Sequence, residues 1–295
     1  MPISAPLGDH TPCGLTLRRR LPHLLLLGFA LSACKPVEEA PEDVDEMIRA
    51  WWLGWVEADD NEIAELADQS IPIIDPVALA EASADGTQSR LTEADLRVVE
   101  HFAPPDDDGS WQPPDPALAR PYYLLNRYRC SIDQLERILS WQNQGEIFDY
   151  DAYERTFTSS AADFHSGEAS TLTWTVDLEG SYVGFRFTEH LLGGIRRVPL
   201  TDTEQPFGAD RMLITRTWIP YPARFRSDGP RFDQDYQIEV FIPWGDDEIL
   251  HIYGVWRELQ VAGFSAESDG LARIMINALK QWDEETEKLC EEGRP

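Results

Sequence analysis

Lysine is nearly missing from this chain of 295 residues: Lys35, Lys280 and Lys288 are the only three, and all Lys and Arg together number 25 against 53 acidic side chains. A formal charge of -28 excludes nucleic acid as a partner, because a phosphate backbone needs clustered Lys and Arg to displace its counterions. It equally excludes docking on an anionic membrane through a basic patch. No apolar run approaches the roughly 20 residues that cross a bilayer as a helix. No GxSxG elbow, HExxH pair, P-loop or Rossmann glycine pattern occurs, so the motifs point to no cofactor. Cysteine is scarce, with four residues, and no CxxC or close His pair offers zinc a site. Aromatic residues are plentiful instead: 10 Trp, 9 Tyr and 12 Phe are enough for a packed core and argue against global disorder.

The start of the chain carries the most specific pattern. Arg18, Arg19 and Arg20 precede a short apolar run from Leu21 to Ala30, the proportions of a secretory signal peptide. Leu31-Ser32-Ala33-Cys34 follows. This resembles the lipobox of bacterial lipoproteins, a branched apolar residue and two small ones before a cysteine. The resemblance implies that residues 1–33 are a signal peptide and that Cys34 is lipidated and becomes the first mature residue. The membrane is then a partner through the lipid alone; one acyl chain holds weakly, several hold stably. Lys35 follows Cys34. In lipoproteins of the enterobacterial kind an Asp there retains the protein in the inner membrane. The resemblance therefore implies the outer membrane, on its periplasmic face. The other reading of residues 21–30 is an apolar segment of a soluble interior.

Given that resemblance, Cys13 leaves with the signal and Cys34 is acylated. Cys130 and Cys290 remain in a compartment that permits disulfides. One bridge between them is expected; two unrelated buried thiols are the other reading.

Residues 34–46 are rich in Pro and acid and read as a solvated tether. A helical segment follows over 47–102. Val44, Met47, Ile48, Trp51, Trp52 and Trp55 recur at helical spacing, an amphipathic helix with an aromatic stripe that suits a core better than a sugar or partner site. Ile63 and Leu66 suggest a second helix. Thr92 and Asp95 have capping-box spacing and predict a third, through Leu96, Val99 and Phe102. Six prolines fall within 103–121, which reads as a linker or wrapping loop.

Residues 122–292 read as one β-rich domain. Tyr122 to Arg129 predicts a strand, and Ser131 to Trp141 a helix capped by Ser131. Leu172, Trp174, Val176 and Leu178 alternate with polar residues. Glu179-Gly180 then reads as a hairpin turn, with Val183, Phe185 and Phe187 alternating on the return. Met212, Ile214 and Trp218 mark a strand, as do Tyr236, Ile238, Val240 and Ile242. Gly245-Asp246-Asp247 turns the chain into Ile249 to Leu259. A long amphipathic helix ends the domain, with Leu271, Ile274, Met275, Ala278, Trp282 and Leu289 on its apolar stripe and Asp283, Glu284, Glu287 and Lys288 opposite.

The expected class is α+β: an N-terminal helical segment, then an antiparallel sheet packed on a long C-terminal helix. This element order is similar to the START-like, or SRPBCC, helix-grip families. The resemblance implies a sheet wrapped on the terminal helix, with a cavity between them for an apolar ligand. An ordinary antiparallel sheet on one helix fits the same order. The opening Trp51 helix is also similar to that of the nuclear-transport-factor-like cone fold, whose strands would begin sooner.

Acid–base chemistry has few candidates. His251 with Glu239 or Glu258 has the residue types of a general base pair across a hairpin. His101 ends the third predicted helix, His165 lies in a polar loop and His190 lies on or beside a strand. Gly193-Gly194 reads as a turn. Asp106-Asp107-Asp108-Gly109-Ser110 lacks the ligand positions of an EF-hand loop and reads as a solvated turn. With no catalytic constellation, the expected function is that of a non-catalytic lipoprotein, anchored at the outer membrane, that binds an apolar ligand or an envelope protein. The alternative is an envelope hydrolase built from carboxylates and His251.

Overall fold

The structure is a computed structural model, in which residues 42–57, 59–70, 81–82, 90–148, 150–182, 185–200, 210–225, 231–245, 247–260 and 269–295 are described. The expected signal peptide, Cys34 and most of the tether lie outside these residues. Among the described residues no helix is long and apolar enough to cross a membrane.

The elements run α1 (Glu42–Glu57), α2 (Asp60–Ser70), β1 (Glu81–Ala82), β2 (Arg120–Arg129), α3 (Ile132–Ser140), β3 (Ala152–Phe157), α4 (Ala161–Ser166), β4 (Thr171–Tyr182), β5 (Phe185–Pro199), β6 (Arg211–Trp218), β7 (Arg224–Phe225), β8 (Arg231–Trp244), β9 (Glu248–Gln260) and α5 (Asp269–Glu291). The strands form one sheet in the order β1-β2-β9-β8-β6-β5-β4-β3, with β7 paired to β5. Every pairing is antiparallel. The fold is α+β, a helix-grip-like sheet packed on a long C-terminal helix.

Period-two alternation sends neighbouring residues to opposite faces. Along β8, Tyr236, Ile238, Val240 and Ile242 join one hydrophobic cluster with Val44, Met47, Ile48, Trp51 and Trp52 of α1. The helical segment before the prolines and the sheet thus share a core. Ile48 comes so near the sheet that a Cβ on Gly254 would lie 2.4 Å from its Cγ2, so no larger residue fits there while α1 is seated. On the opposite face, Leu271, Ala272, Met275 and Leu279 of α5 pack on Tyr122, Leu124, Tyr253 and Val255. Leu213, Phe241 and Ile249 form a separate cluster with Leu135 and Leu139 of α3.

Several local expectations hold. Ser131 Oγ accepts from Gln134 N and caps α3. The second helix expected around Ile63 and Leu66 forms as α2, and Asp59 Oδ1 accepts from the amides of Asn61 and Glu62 at its start. Cys130 and Cys290 stand at disulfide distance, with Cα atoms 5.3 Å apart, and join the last turn of α5 to the residue that follows β2.

Others are corrected. Thr92 and Asp95 do exchange capping-box bonds, but residues 93–98 form turns and no regular helix. Asp95 also pairs with Arg49 at 2.6 Å, and Pro104-Pro105 close the segment, which leaves Phe102 exposed. The strand expected from Tyr122 begins at Arg120, with Pro121 inside it. The β4–β5 hairpin turns after Tyr182, which pairs with Phe185, while Glu179 and Gly180 remain in the ladder. Gly193-Gly194 makes no turn: both lie within β5, and a Cβ on Gly193 would meet Arg216 O at 2.8 Å. Close approach of the neighbouring strand explains the glycine. His165 lies in the short helix α4, capped by Ser160, rather than in a loop.

Candidate functional site

The face beneath α5 carries an unusual set of polar side chains, most of them buried. Alternation along β6, β8 and β9 places Thr215, Thr217, Asp235, Gln237, Glu239, His251 and Tyr253 there. Register lines them up across the strands, Thr215 against Glu239 and Glu239 against Tyr253. Thr215 Oγ1 donates to Glu239 Oε1 at 2.8 Å. Tyr253 Oη donates to Gln237 Oε1 at 2.8 Å, and Gln237 Nε2 donates to Asp235 Oδ2 at 3.1 Å. Arg257 closes the chain on the same Asp235 oxygen.

His251 is fully buried and lies flat on Phe241, centroids 4.4 Å apart. Its Nδ1 donates to Asp283 Oδ1 at 2.7 Å, and Asn126 Nδ2 donates to the other Asp283 oxygen at 2.8 Å. Glu239 Oε2 is 3.5 Å from His251 Nε2. That is a contact of charges and too long for a hydrogen bond, so neither atom has a hydrogen-bond partner among the described residues. Burial alone would depress the imidazole. Asp283 first, and then Glu239, outweigh it and raise His251 to about 9. At neutral pH the ring is a cation with no lone pair to take a proton, so it is not poised as a general base. Of the two expected partners, Glu239 joins it. Glu258 instead accepts from Gln234 Nε2.

Asp283 was expected on the solvent face of the last helix and is 1% exposed. The helical period explains it. Ile276, Leu279, Asp283 and Thr286 follow at steps of three and four, one stripe facing the sheet, and all four are buried. The charge enters the core because the sheet supplies His251 and Asn126.

Two further buried groups complete this face. Burial raises Glu189 to about 8, helped by the Asp235 charge and opposed by Arg257. Arg155, on β3, is 7% exposed. Its Nη1 donates to Leu139 O at 2.7 Å and Trp141 O at 3.1 Å, and its Nη2 donates to Gln144 Oε1 at 2.7 Å. Carbonyls at the end of α3 suit a cation, and the guanidinium also lies 4.3 Å over the Trp174 ring. Among the described residues it meets no carboxylate. Sequence reasoning missed β3, because Arg155 is the one buried residue of its six and no apolar alternation marks it.

Between sheet and α5 lies a cavity of about 90 Å³. Its apolar wall includes Leu139, Trp174, Val176, Leu178, Leu191 and Trp282. Its polar wall includes Arg155, Thr215, Thr217, Gln237, Glu239 and Tyr253. That volume holds several waters or a small solute, well below the roughly 300–1,000 Å³ of drug-sized pockets. A groove of about 720 Å³ opens on the surface nearby, largely among exposed side chains such as Trp141, Gln142, Glu154 and His165. Tyr153 and Arg155 line both spaces and so form part of the wall between them. The smaller, partly open cavity, with its buried polar atoms, is the candidate site.

The remaining sequence candidates lie elsewhere. His101 ends no helix. Its Nε2 meets Tyr236 Oη at 2.9 Å, and burial lowers its pKa. His190 Nδ1 is 2.7 Å from Asp177 Oδ1, and the ring stacks on Tyr221. Residues 106–110 form a turn in which Asp107 accepts from the amides of Gly109 and Trp111. Trp51 and Trp52 are fully buried in the core. Among the described residues no cluster of His, Cys, Asp and Glu has the arrangement of a metal site.

No protein-family model matches the chain, and no curated protein sequence matches it. Solved structures do. A START superfamily protein from Mycobacterium smegmatis aligns over 58% of this chain and 97% of its own, at 13% identity and TM-score 0.37. TTHA0849 from Thermus thermophilus aligns over 59% of this chain and 95% of its own, at 15% identity and TM-score 0.33. The lipid transfer and protein localization domain of human StarD13 (DLC2) aligns over 53% of this chain and 76% of its own, at 10% identity and TM-score 0.29.

Proposed function

We propose that this is a lipid-anchored envelope protein, held at the periplasmic face of the outer membrane through Cys34, whose helix-gripped sheet binds a small ligand without transforming it. The observation that carries the binding reading is the partly open cavity, apolar on the Trp174 and Leu191 side and polar on the Gln237 and Glu239 side. Such a lining suits a small molecule with an apolar body and a polar end. The anchoring reading rests on the lipobox-like Leu31-Ser32-Ala33-Cys34 after its basic and apolar leader.

Each half has its own test. Protein isolated from membranes without denaturation, then unfolded, is expected to release a small molecule near one equivalent, read by mass spectrometry. The cavity-filling variant Val176→Trp, if it retains a cooperative melt, is expected to release none. Equal yields from both proteins, or none from the wild type, would count against the binding reading. Cys34→Ala is expected to move the protein to the soluble fraction. A mutant that still pellets with membranes after a high-salt wash would rule out the lipid anchor.

A further inference from the structure

The lining of the cavity carries side chains of both charges. Arg155 lines it as a buried cation that meets no carboxylate among the described residues, and its Nε–H has no hydrogen-bond acceptor there. Glu239 lines it as a buried carboxylate, 8% exposed, with one oxygen satisfied by Thr215 and Oε2 left without a donor. The nearest positive group to Glu239 is His251, whose short hydrogen bond goes to Asp283. One imidazolium therefore faces two carboxylates. Buried charges are stable when paired, and here a guanidinium and a carboxylate border one small space with pairing capacity to spare.

We propose that the ligand is a small zwitterion of amino-acid type, its carboxylate received by Arg155 and its ammonium by Glu239. An Arg N–H meeting a carboxylate and an ammonium meeting a carboxylate are both charge-assisted bonds, the stronger class. The apolar wall at Val176, Leu178 and Leu191 accepts the carbon chain between them. Tyr153 and Arg155 border the surface groove as well, so the carboxylate lies against the wall that the cavity shares with that groove. This inference rests on the binding reading above and narrows it to one chemistry.

Isothermal titration of the whole mature protein tests it with L-alanine, β-alanine, 4-aminobutyrate and 5-aminopentanoate. Each is compared with the matched acid lacking the ammonium and the matched amine lacking the carboxylate. For 4-aminobutyrate these are butanoate and propylamine. The series varies the charge separation, so the spacing of Arg155 and Glu239 selects a length. At least one zwitterion is expected to bind about tenfold or more tighter than both of its fragments. Glu239→Gln keeps the acceptor for Thr215 and is expected to erase the preference over the matched acid while the acid itself binds as before. Arg155→Lys, which retains the charge if α3 stays seated, is expected to keep a preference over the matched amine. Fragments that bind as well as the zwitterions, or a preference that survives Glu239→Gln, would overturn the proposal and leave the binding reading standing. Release of a ligand of another class from native protein would do the same. No probe binding and no ligand released would overturn both.

Discussion

The two faces of the sheet are made by alternate residues of the same strands and differ in kind. Beneath α1, β8 and β9 present Tyr236, Ile238, Val240, Ile242, Leu250, Ile252 and Trp256 in one hydrophobic cluster. Beneath α5 the intervening residues are Asp235, Gln237, Glu239, Phe241, His251, Tyr253, Val255 and Arg257, and the apolar residues fall into separate clusters on either side of the polar ones. Apolar burial is non-directional and needs only close packing. Each buried polar atom needs a placed partner or it destabilises the fold. The α1 face does bury Arg216, whose guanidinium lies 3.9 Å over the Trp52 ring, but the linked carboxylates, amide and imidazole gather beneath α5, which makes that face the site side and the other the scaffold side.

The comparison can be broken in order of effect. Trp52 lies fully buried against Tyr236 and Trp256. Trp52→Ala is expected to cost about 4 kcal/mol, measured by urea unfolding, and the same at pH 6 as at pH 9. A cost that changes strongly with pH would mean the α1 face is not the inert side.

Asp283→Ala should cost about 3 kcal/mol at neutral pH, because it leaves His251 a buried cation without its closest partner. Here the loss must shrink above pH 9, where the wild-type ring is neutral as well. Calorimetric melts of both proteins across that range decide it.

The wild type carries the same signature. His251 is raised from 6.5 to about 9, and Glu189 from 4.5 to about 8. In both cases the folded chain keeps a proton that the unfolded chain has released. The Glu189 contribution therefore falls as pH rises from 4.5 through about 8, and that of His251 falls from 6.5 through about 9. Melting temperatures are expected to decline from pH 6 to pH 9. Flat behaviour, with Asp283→Ala also flat, would show that these groups titrate normally. The smallest effect belongs to neither face: Leu118 is 55% exposed, and Leu118→Ser should shift unfolding by less than about 0.5 kcal/mol.

Much of the scaffold side was legible in sequence, because repetition identifies it. Trp51 and Trp52 at helical spacing, and Tyr236 to Ile242 at spacing two, each report one buried face. The site side was legible only in part. His251 and Glu239 were found as a pair, but Asp283 was assigned to solvent on charge alone, although its step of four from Leu279 put it on the buried stripe. Arg155 gave no pattern, since a strand with one buried residue has no alternation to read. Glu179-Gly180 and Gly193-Gly194 resembled turns because glycine marks both turns and close strand approach. Only the neighbouring strand, at Arg216 O, distinguishes the two at Gly193. Burial of polar residues depends on partners distant in the chain, such as Asn126 for Asp283 across 157 positions, and local pattern does not contain them.

The sulfur link between Cys130 and Cys290 spans 160 positions and makes most of the sheet a covalent ring. A single proteolytic nick anywhere inside that ring opens it without detaching anything. Both fragments stay tethered to the one N-terminus, and on a gel they separate only after reduction. If the chain is anchored through Cys34 as proposed, a cut loop is then damage in place rather than release of its domain.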